Sequence, residues 1–393
     1  MENVPFYPAD ILLPKKDFEK WAVVACDQYT GESEYWEDVE NIVGDTPSAL
    51  RLTLPEIYLS GDVDSRIEKI NKSMTEYIEN GIFNEYKNAF IYLERTLYDG
   101  KVRHGIIGKV DLTAYDYNKG AKSLIRATEG TIMERIPPRV KIRENAPLEL
   151  PNIMILIDDP QKTVIEPIAE KKHKLEKLYD FELMKQGGHA EGYLADDNNA
   201  ITEALGALMQ EGHMLFAMGD GNHSLATAKA CYEKNPTVKN RYALVEIVNI
   251  HDEALTFEPI YRVIYRAKAE DILAAAKDYF TEEENGQKIT VVTEDGDFTL
   301  SVKAENSLTV GTLQIFLDKY LSENKSARID YIHGEEAVRS IVKKENAVGF
   351  IFDGMTKSEL FPAVEADGAL PRKTFSMGHA RDKRYYLEAR RIK

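Results

Sequence analysis

The run Leu215-Phe-Ala-Met-Gly-Asp-Gly-Asn-His-Ser-Leu-Ala-Thr-Ala-Lys-Ala230 constrains this chain more than any other stretch. Four apolar residues, Leu215 to Met218, predict a short buried strand. Gly219 and Gly221 tolerate positive φ, so the backbone can turn sharply after it. From Leu225 onward nearly every residue is a good helix former until Asn235-Pro236, with Asn222 or Ser224 as the expected cap. Strand, glycine turn and helix start gather backbone N–H groups at the positive end of a helix dipole, which favours an anion, most often phosphate. Asp220, Asn222, His223 and Ser224 add acid, amide, imidazole and hydroxyl at the same turn. The residues also read as a plain β–α turn with an asparagine cap. What makes the turn a candidate site is the density of chemistry at a strand end, where α/β proteins place ligands.

The rest of the composition narrows the partners. With 393 residues there is room for two or three domains, or one elaborated α/β body with a companion. Fifty basic against 66 acidic residues leave a net charge of −16, a field that repels nucleic acid and anionic membrane. A small-molecule substrate is the expected partner, with neither nucleic acid nor membrane. Cys26 and Cys231 are the two cysteines, too few for a disulfide framework and without CxxC metal spacing. Met1 to Lys20 lacks the apolar core of a signal peptide, and no 18-residue apolar run occurs, so a cytoplasmic location is expected.

Read in order, Trp21 to Cys26 is apolar and leads into Asp27-Gln28-Tyr-Thr-Gly31, predicting a strand whose polar end contacts ligand or satisfies a turn. Val63–Glu79 has helical periodicity, and Tyr98-Asp-Gly100 is a hairpin turn between two strands. Between Ala121 and Arg143 six basic residues, among them Arg126, Arg135 and Arg139, face two acids, a local +4 in an acidic protein. Arginines bind phosphate and carboxylate through a planar fork, though a solvated basic face gives the same pattern. Glu129, held among these arginines, would stay ionised as a base or metal ligand. Asp158-Asp159 follows an apolar strand as cap or cation ligand, and Val164 to Lys185 reads as one long charged helix. After about residue 255 helices and hairpins alternate with few polar clusters, giving an α+β companion over 256–393, whose basic tail around Arg372 is expected to return to the first site. The body is 1–255.

The stretches Met218-Gly-Asp-Gly-Asn-His-Ser-Leu-Ala226, Cys26-Asp-Gln-Tyr-Thr30, Arg126-Ala-Thr-Glu-Gly130 and Tyr179-Asp-Phe-Glu-Leu-Met184, with the tail around Arg372, resemble a prokaryotic family known as domain of unknown function number one thousand and fifteen. Its commoner members have Asp-Gly-His-His-Arg at the turn. The family is similar to the ParB/sulfiredoxin superfamily, whose members include free-serine kinases, sulfiredoxins and nucleotide-dependent DNA-segregation proteins. The resemblance implies an α/β (α+β) fold: a ParB/sulfiredoxin-like mixed-sheet N-terminal body that binds phosphate, with a smaller α+β module. This chain carries Ser224 where the superfamily has arginine, so Arg126, Arg135 or Arg139 would have to supply that charge. It has no loop cysteine for sulfiredoxin chemistry and no basic surface for DNA. Gly221-Asn222-His223 also occurs in two-metal phosphoesterases, but the Asp-x-His such sites require is missing, so no protein-built metal centre is expected.

What remains is phosphoryl transfer from a nucleotide (ATP, ADP or CTP) or pyrophosphate to a small hydroxyl metabolite such as free serine, or nucleotide binding without catalysis. In the first reading Gly219, Gly221, Asn222 and Ser224 cradle the phosphates and His223 contacts the transferred group. Arg126, Arg135 or Arg139 offsets its charge, Asp220 or Glu129 takes a proton or holds Mg²⁺, and Asp27 and Gln28 orient the acceptor.

Overall fold

Strands Ile91–Thr96, Val102–Asp111 and Tyr242–Asn249 bury side chains on both faces, the pattern of a sheet covered on two sides. Ile91, Leu93, Ile107 and Leu244 enter one apolar cluster, whereas Tyr92, Ile106, Ala243, Val245 and Ile247 enter another. That is the two-residue alternation of a strand dividing one sequence between two cores.

The computed structural model describes residues 3–118 and 120–393, apart from the side chain of Arg135. The chain divides into two units. The first comprises the residues up to Ala127, Thr131–Leu255 and Gly378–Lys393; the second comprises Thr128–Gly130 and Thr256–Met377. In the first, a ten-stranded mixed sheet runs in the order Glu176–Glu182, His189–Leu194, Ile91–Thr96, Val102–Asp111, Tyr242–Asn249, Met154–Ile157, Phe216–Asp220, Ile125–Arg126, Tyr115–Asp116, with Phe6–Tyr7 paired to Val102–Asp111. Met154–Ile157 is parallel to Tyr242–Asn249 and antiparallel to Phe216–Asp220, which is itself parallel to Ile125–Arg126. The fold is therefore mixed α/β. Among the described residues no helix is long and apolar enough to cross a membrane.

The second unit is a six-stranded antiparallel sheet, ordered Gly296–Val302, Glu282–Thr293, Ala347–Phe352, Phe257–Tyr265, Arg328–His333, with Phe375–Met377 on Phe257–Tyr265. Its helices include Thr309–Glu323 and Glu335–Lys344.

Several local expectations change. Val164 to Lys185 is not one helix: a short helix, Glu166–Lys171, gives way to the edge strand Glu176–Glu182. Lysine and glutamate density suggested a solvated helix, but Tyr179 and Phe181 are buried two residues apart while Lys177, Asp180 and Glu182 face water. Such charges protect an exposed sheet edge. The apolar run after Trp21 joins no sheet. A short helix ends at Trp21, and Val24 makes an isolated bridge to Arg384, so burial comes from packing rather than strand pairing. Asp159 acts as a turn cap, its Oδ2 accepting the N–H groups of Thr163 (2.6 Å) and Val164 (2.9 Å).

Candidate phosphate-binding site

The strand Phe216–Asp220 ends at Gly221, and the helix Asn222–Lys234 begins immediately after it. Gly221, rather than Asn222 or Ser224, is the N-cap, with φ 81° and ψ 26°. A Cβ here would lie 2.9 Å from the Asn152 carbonyl oxygen and 3.0 Å from Ile153 Cα, so glycine is required both by conformation and by the adjacent backbone. A glycine cap has no side chain to cover the helix start. The helix N-terminus therefore keeps its affinity for a negative group.

Side chains at the turn are held from several directions. Asp220 Oδ1 accepts the Gly221 N–H (2.9 Å), and Oδ2 lies 3.1 Å from Lys383 Nζ. Asn222 Oδ1 accepts the Tyr115 hydroxyl (3.1 Å) while its amide donates to Thr131 Oγ1 (3.2 Å). The Ile132 N–H donates to His223 Nε2 (3.2 Å), a geometry that places the imidazole proton on Nδ1. Gly219, Asp220, Gly221, Asn222, His223 and Ser224 are all partly exposed, whereas the helix is buried from Leu225 to Ala228. The polar face of the turn is thus open and its rear is fixed in the core.

The glycine turn and the start of the basic segment are brought together through Thr131 and Ile132. Arg139, on the helix Ile136–Arg143 that packs against Asn222–Lys234, pairs with Glu56. The Glu56 N–H in turn donates to the Cys26 carbonyl (2.8 Å), which links the Asp27–Gln28 turn to the same framework. Asp27 is exposed and accepts a bond from Gln28 Nε2 (2.9 Å). Burial pushes the Cys26 thiol up to about 11, and the Asp27 carboxylate adds to the shift, so Cys26 stays protonated.

Arg126 is 3% exposed and donates through Nε to the Ser123 carbonyl (2.9 Å) and through Nη2 toward the Gly212 carbonyl (3.5 Å), fastening the approach to the site strand. Glu129 belongs to the second unit, where it bridges to Leu370. The Arg135 side chain lies outside the described residues. The sequence reading missed Lys383, the cation at Asp220. Its signal was the Arg381-Asp-Lys-Arg384 run just beyond the basic tail, and long-range pairing across 163 positions left no local trace.

The model of the family described as "Protein of unknown function (DUF1015)" matches residues 6–320. The chain belongs to this family. No curated protein matches the DUF1015 chain at a significant level. Among solved structures it is similar to a free serine kinase with a point substitution in complex with ADP, at 11% identity and TM-score 0.42, covering 73% of this chain and 93% of that one. A free serine kinase in complex with AMP gives 11% identity, TM-score 0.41 and coverage of 71% and 90%. SbnI with a C-terminal truncation, from Staphylococcus aureus, gives 12%, 0.37, and 69% and 82%.

Proposed function

We propose that this DUF1015 protein transfers a phosphoryl group from a nucleotide or pyrophosphate to a small hydroxyl-bearing metabolite, free serine being the model acceptor. The observation that carries the reading is the half-exposed helix start at Gly221, with Asp220, Asn222 and His223 fixed around it and Lys383 at its mouth. Backbone N–H groups from Gly219 to Ser224, apart from that of Gly221, which Asp220 Oδ1 accepts, cradle the donor phosphates. Lys383, and Arg139 if it exchanges Glu56 for phosphate, offset the charge that develops on the transferred group. The acceptor oxygen attacks the terminal phosphorus, its new O–P bond forming as the bond to the leaving phosphate breaks. The hydroxyl proton passes to Asp220. Asp27 and Gln28 orient the acceptor.

The turn supplies one carboxylate, Asp220, which fits Mg²⁺ as an ion carried mainly on the donor phosphates. Its contribution there is to neutralise phosphate charge. Phosphorus NMR of the protein with ATP and Mg²⁺ and a panel of hydroxyl metabolites reads the transfer directly. His223→Ala should lower turnover by roughly 10²-fold, the scale of one lost transition-state contact. Unchanged turnover removes His223 from the chemistry.

A second reading has its own support. His223 Nε2 already accepts a backbone N–H, and Arg126 is buried against carbonyls, an arrangement suited to holding a nucleotide without turning it over. In that case nucleotide binds saturably, no acceptor yields product, and His223→Ala alters affinity alone.

A further inference from the structure

The Asn222 side chain, on the first residue of the helix after the glycine turn, has a polarity set from behind by Tyr115. Tyr115 lies on the two-residue strand Tyr115–Asp116 at the end of the large sheet and is 1% exposed. Its ring belongs to the apolar cluster that also contains Ile125, Phe216 and Leu225, so the hydroxyl is carried on a fixed support. Burial, with the neighbouring Tyr117 and Asp116, raises the phenol well above its ordinary range, and the hydroxyl keeps its proton. A buried O–H needs an acceptor, and among the described residues Asn222 Oδ1, at 3.1 Å, is the one the Tyr115 hydroxyl meets.

The consequence runs outward. An amide whose oxygen accepts on one side presents its NH2 on the other, and Asn222 Nδ2 donates to Thr131 Oγ1 (3.2 Å). The reverse orientation would turn the NH2 toward the phenol and strand the buried Tyr115 proton, which costs more than the bond itself contributes. Thr131 Oγ1 thus accepts one proton already, and its own O–H has to point away from Asn222. Among the described residues no acceptor receives that proton, and Thr131 is partly exposed, like the turn residues beside it. The next residue is tied down as well, since the Ile132 N–H donates to His223 Nε2 (3.2 Å). Thr131 and Ile132 are therefore fastened to Asn222 and His223, the first two residues of the helix.

We infer that Thr131 is a phosphate-binding residue of the glycine turn, its hydroxyl donating to a donor-phosphate oxygen, and that Tyr115 is its positioning residue, acting through Asn222. This rests on the reading of the turn as a phosphate site, though not on transfer taking place there. A phosphate oxygen is charged and only accepts, so it suits a hydroxyl whose direction is fixed before the ligand arrives.

The test is calorimetric titration of the full chain with ATP, ADP, CTP and pyrophosphate, each with Mg²⁺. Thr131→Val keeps the side-chain shape and removes the hydroxyl, so the Kd of whichever ligand wild type binds should rise about tenfold. Thr131→Ser should retain the affinity. Tyr115→Phe removes no atom that touches the ligand, yet should weaken binding to a similar degree. The double variant should bind no more weakly than Thr131→Val alone, because Tyr115 acts through Thr131. Thr131 is partly exposed, so Thr131→Val decides even if Tyr115→Phe fails to fold. Wild-type affinity in Thr131→Val overturns the inference and leaves the phosphoryl-transfer reading in place, and losses that add in the double variant overturn the role of Tyr115. The predicted losses without any product by phosphorus NMR uphold Thr131 while transfer falls. A wild type that binds none of the four ligands overturns both.

Discussion

The glycine turn at Asp220–His223 and the buried charges in and around strands Val102–Asp111 and Tyr242–Asn249 use similar residue types in opposite ways. At the turn, polar groups are half-exposed: Asp220 meets the Gly221 N–H and Lys383, Asn222 meets Tyr115 and Thr131, and His223 accepts the Ile132 N–H. In the core, Arg103 makes three bonds to Glu246 and one to the Tyr386 hydroxyl, and Glu149 is clasped by Arg143 and Arg390. Burial alone would raise the Glu149 carboxyl, yet Arg390 and Arg143 outweigh it and hold the group below the usual carboxylate range. The lesson is about cost: the charges of Arg103, Glu246 and Glu149 are tolerated in the core because each meets an opposite charge there, whereas the Asp220–Lys383 pair at the turn is partly exposed and keeps part of its hydration.

The comparison can be broken most sharply at Glu149. Glu149→Ala leaves two arginines without their carboxylate and should lower stability by about 3–5 kcal/mol, read by denaturant unfolding. A loss below about 1 kcal/mol would mean that this pair behaves like a surface ion pair. Gly221→Ala is the next largest. It forces a side chain into positive φ against the Asn152 carbonyl, so we expect a loss of about 1–3 kcal/mol together with weaker nucleotide binding. Retained stability would show that the turn relaxes and is no rigid cradle.

The smallest effect is one of pH. Burial pushes the Glu388 carboxyl up to about 7, against the opposing bond from the Tyr179 hydroxyl (2.6 Å). Because the folded state binds this proton more tightly than the unfolded chain, its stabilising contribution is complete below the unfolded value near 4.5. It is lost as pH rises through about 7. Wild type should lose stability between pH 5 and 7 relative to Glu388→Gln, in urea melts run across that range. Parallel pH profiles would contradict the assignment.

The same contrast explains what the sequence makes legible. Strand, turn and helix around Gly221 are adjacent in the chain, so residue type and spacing suffice. The helix Val63–Glu79 likewise follows from local periodicity. Pairings such as Arg103 with Glu246, 143 positions apart, and Arg390 with Glu149, 241 apart, have no local signature. Lys383 escaped notice for that reason. Arg126 is the opposite case: its charge is plain in the sequence, but the carbonyls that hold it are not. The edge strand Glu176–Glu182 was hidden because charge density outweighed a short two-residue alternation.

The central claim is that the turn from Gly219 to Ser224 binds nucleotide or pyrophosphate. The most direct measurement is thermal shift with ATP, ADP, CTP and pyrophosphate, each with and without Mg²⁺, on wild type and Asp220→Ala. A ligand at roughly 100-fold over its Kd stabilises by about 2.7 kcal/mol, so a selective rise in Tm that Asp220→Ala abolishes is the predicted result. A flat panel, or a shift identical in both proteins, would contradict the claim and leave Gly221 as a structural turn.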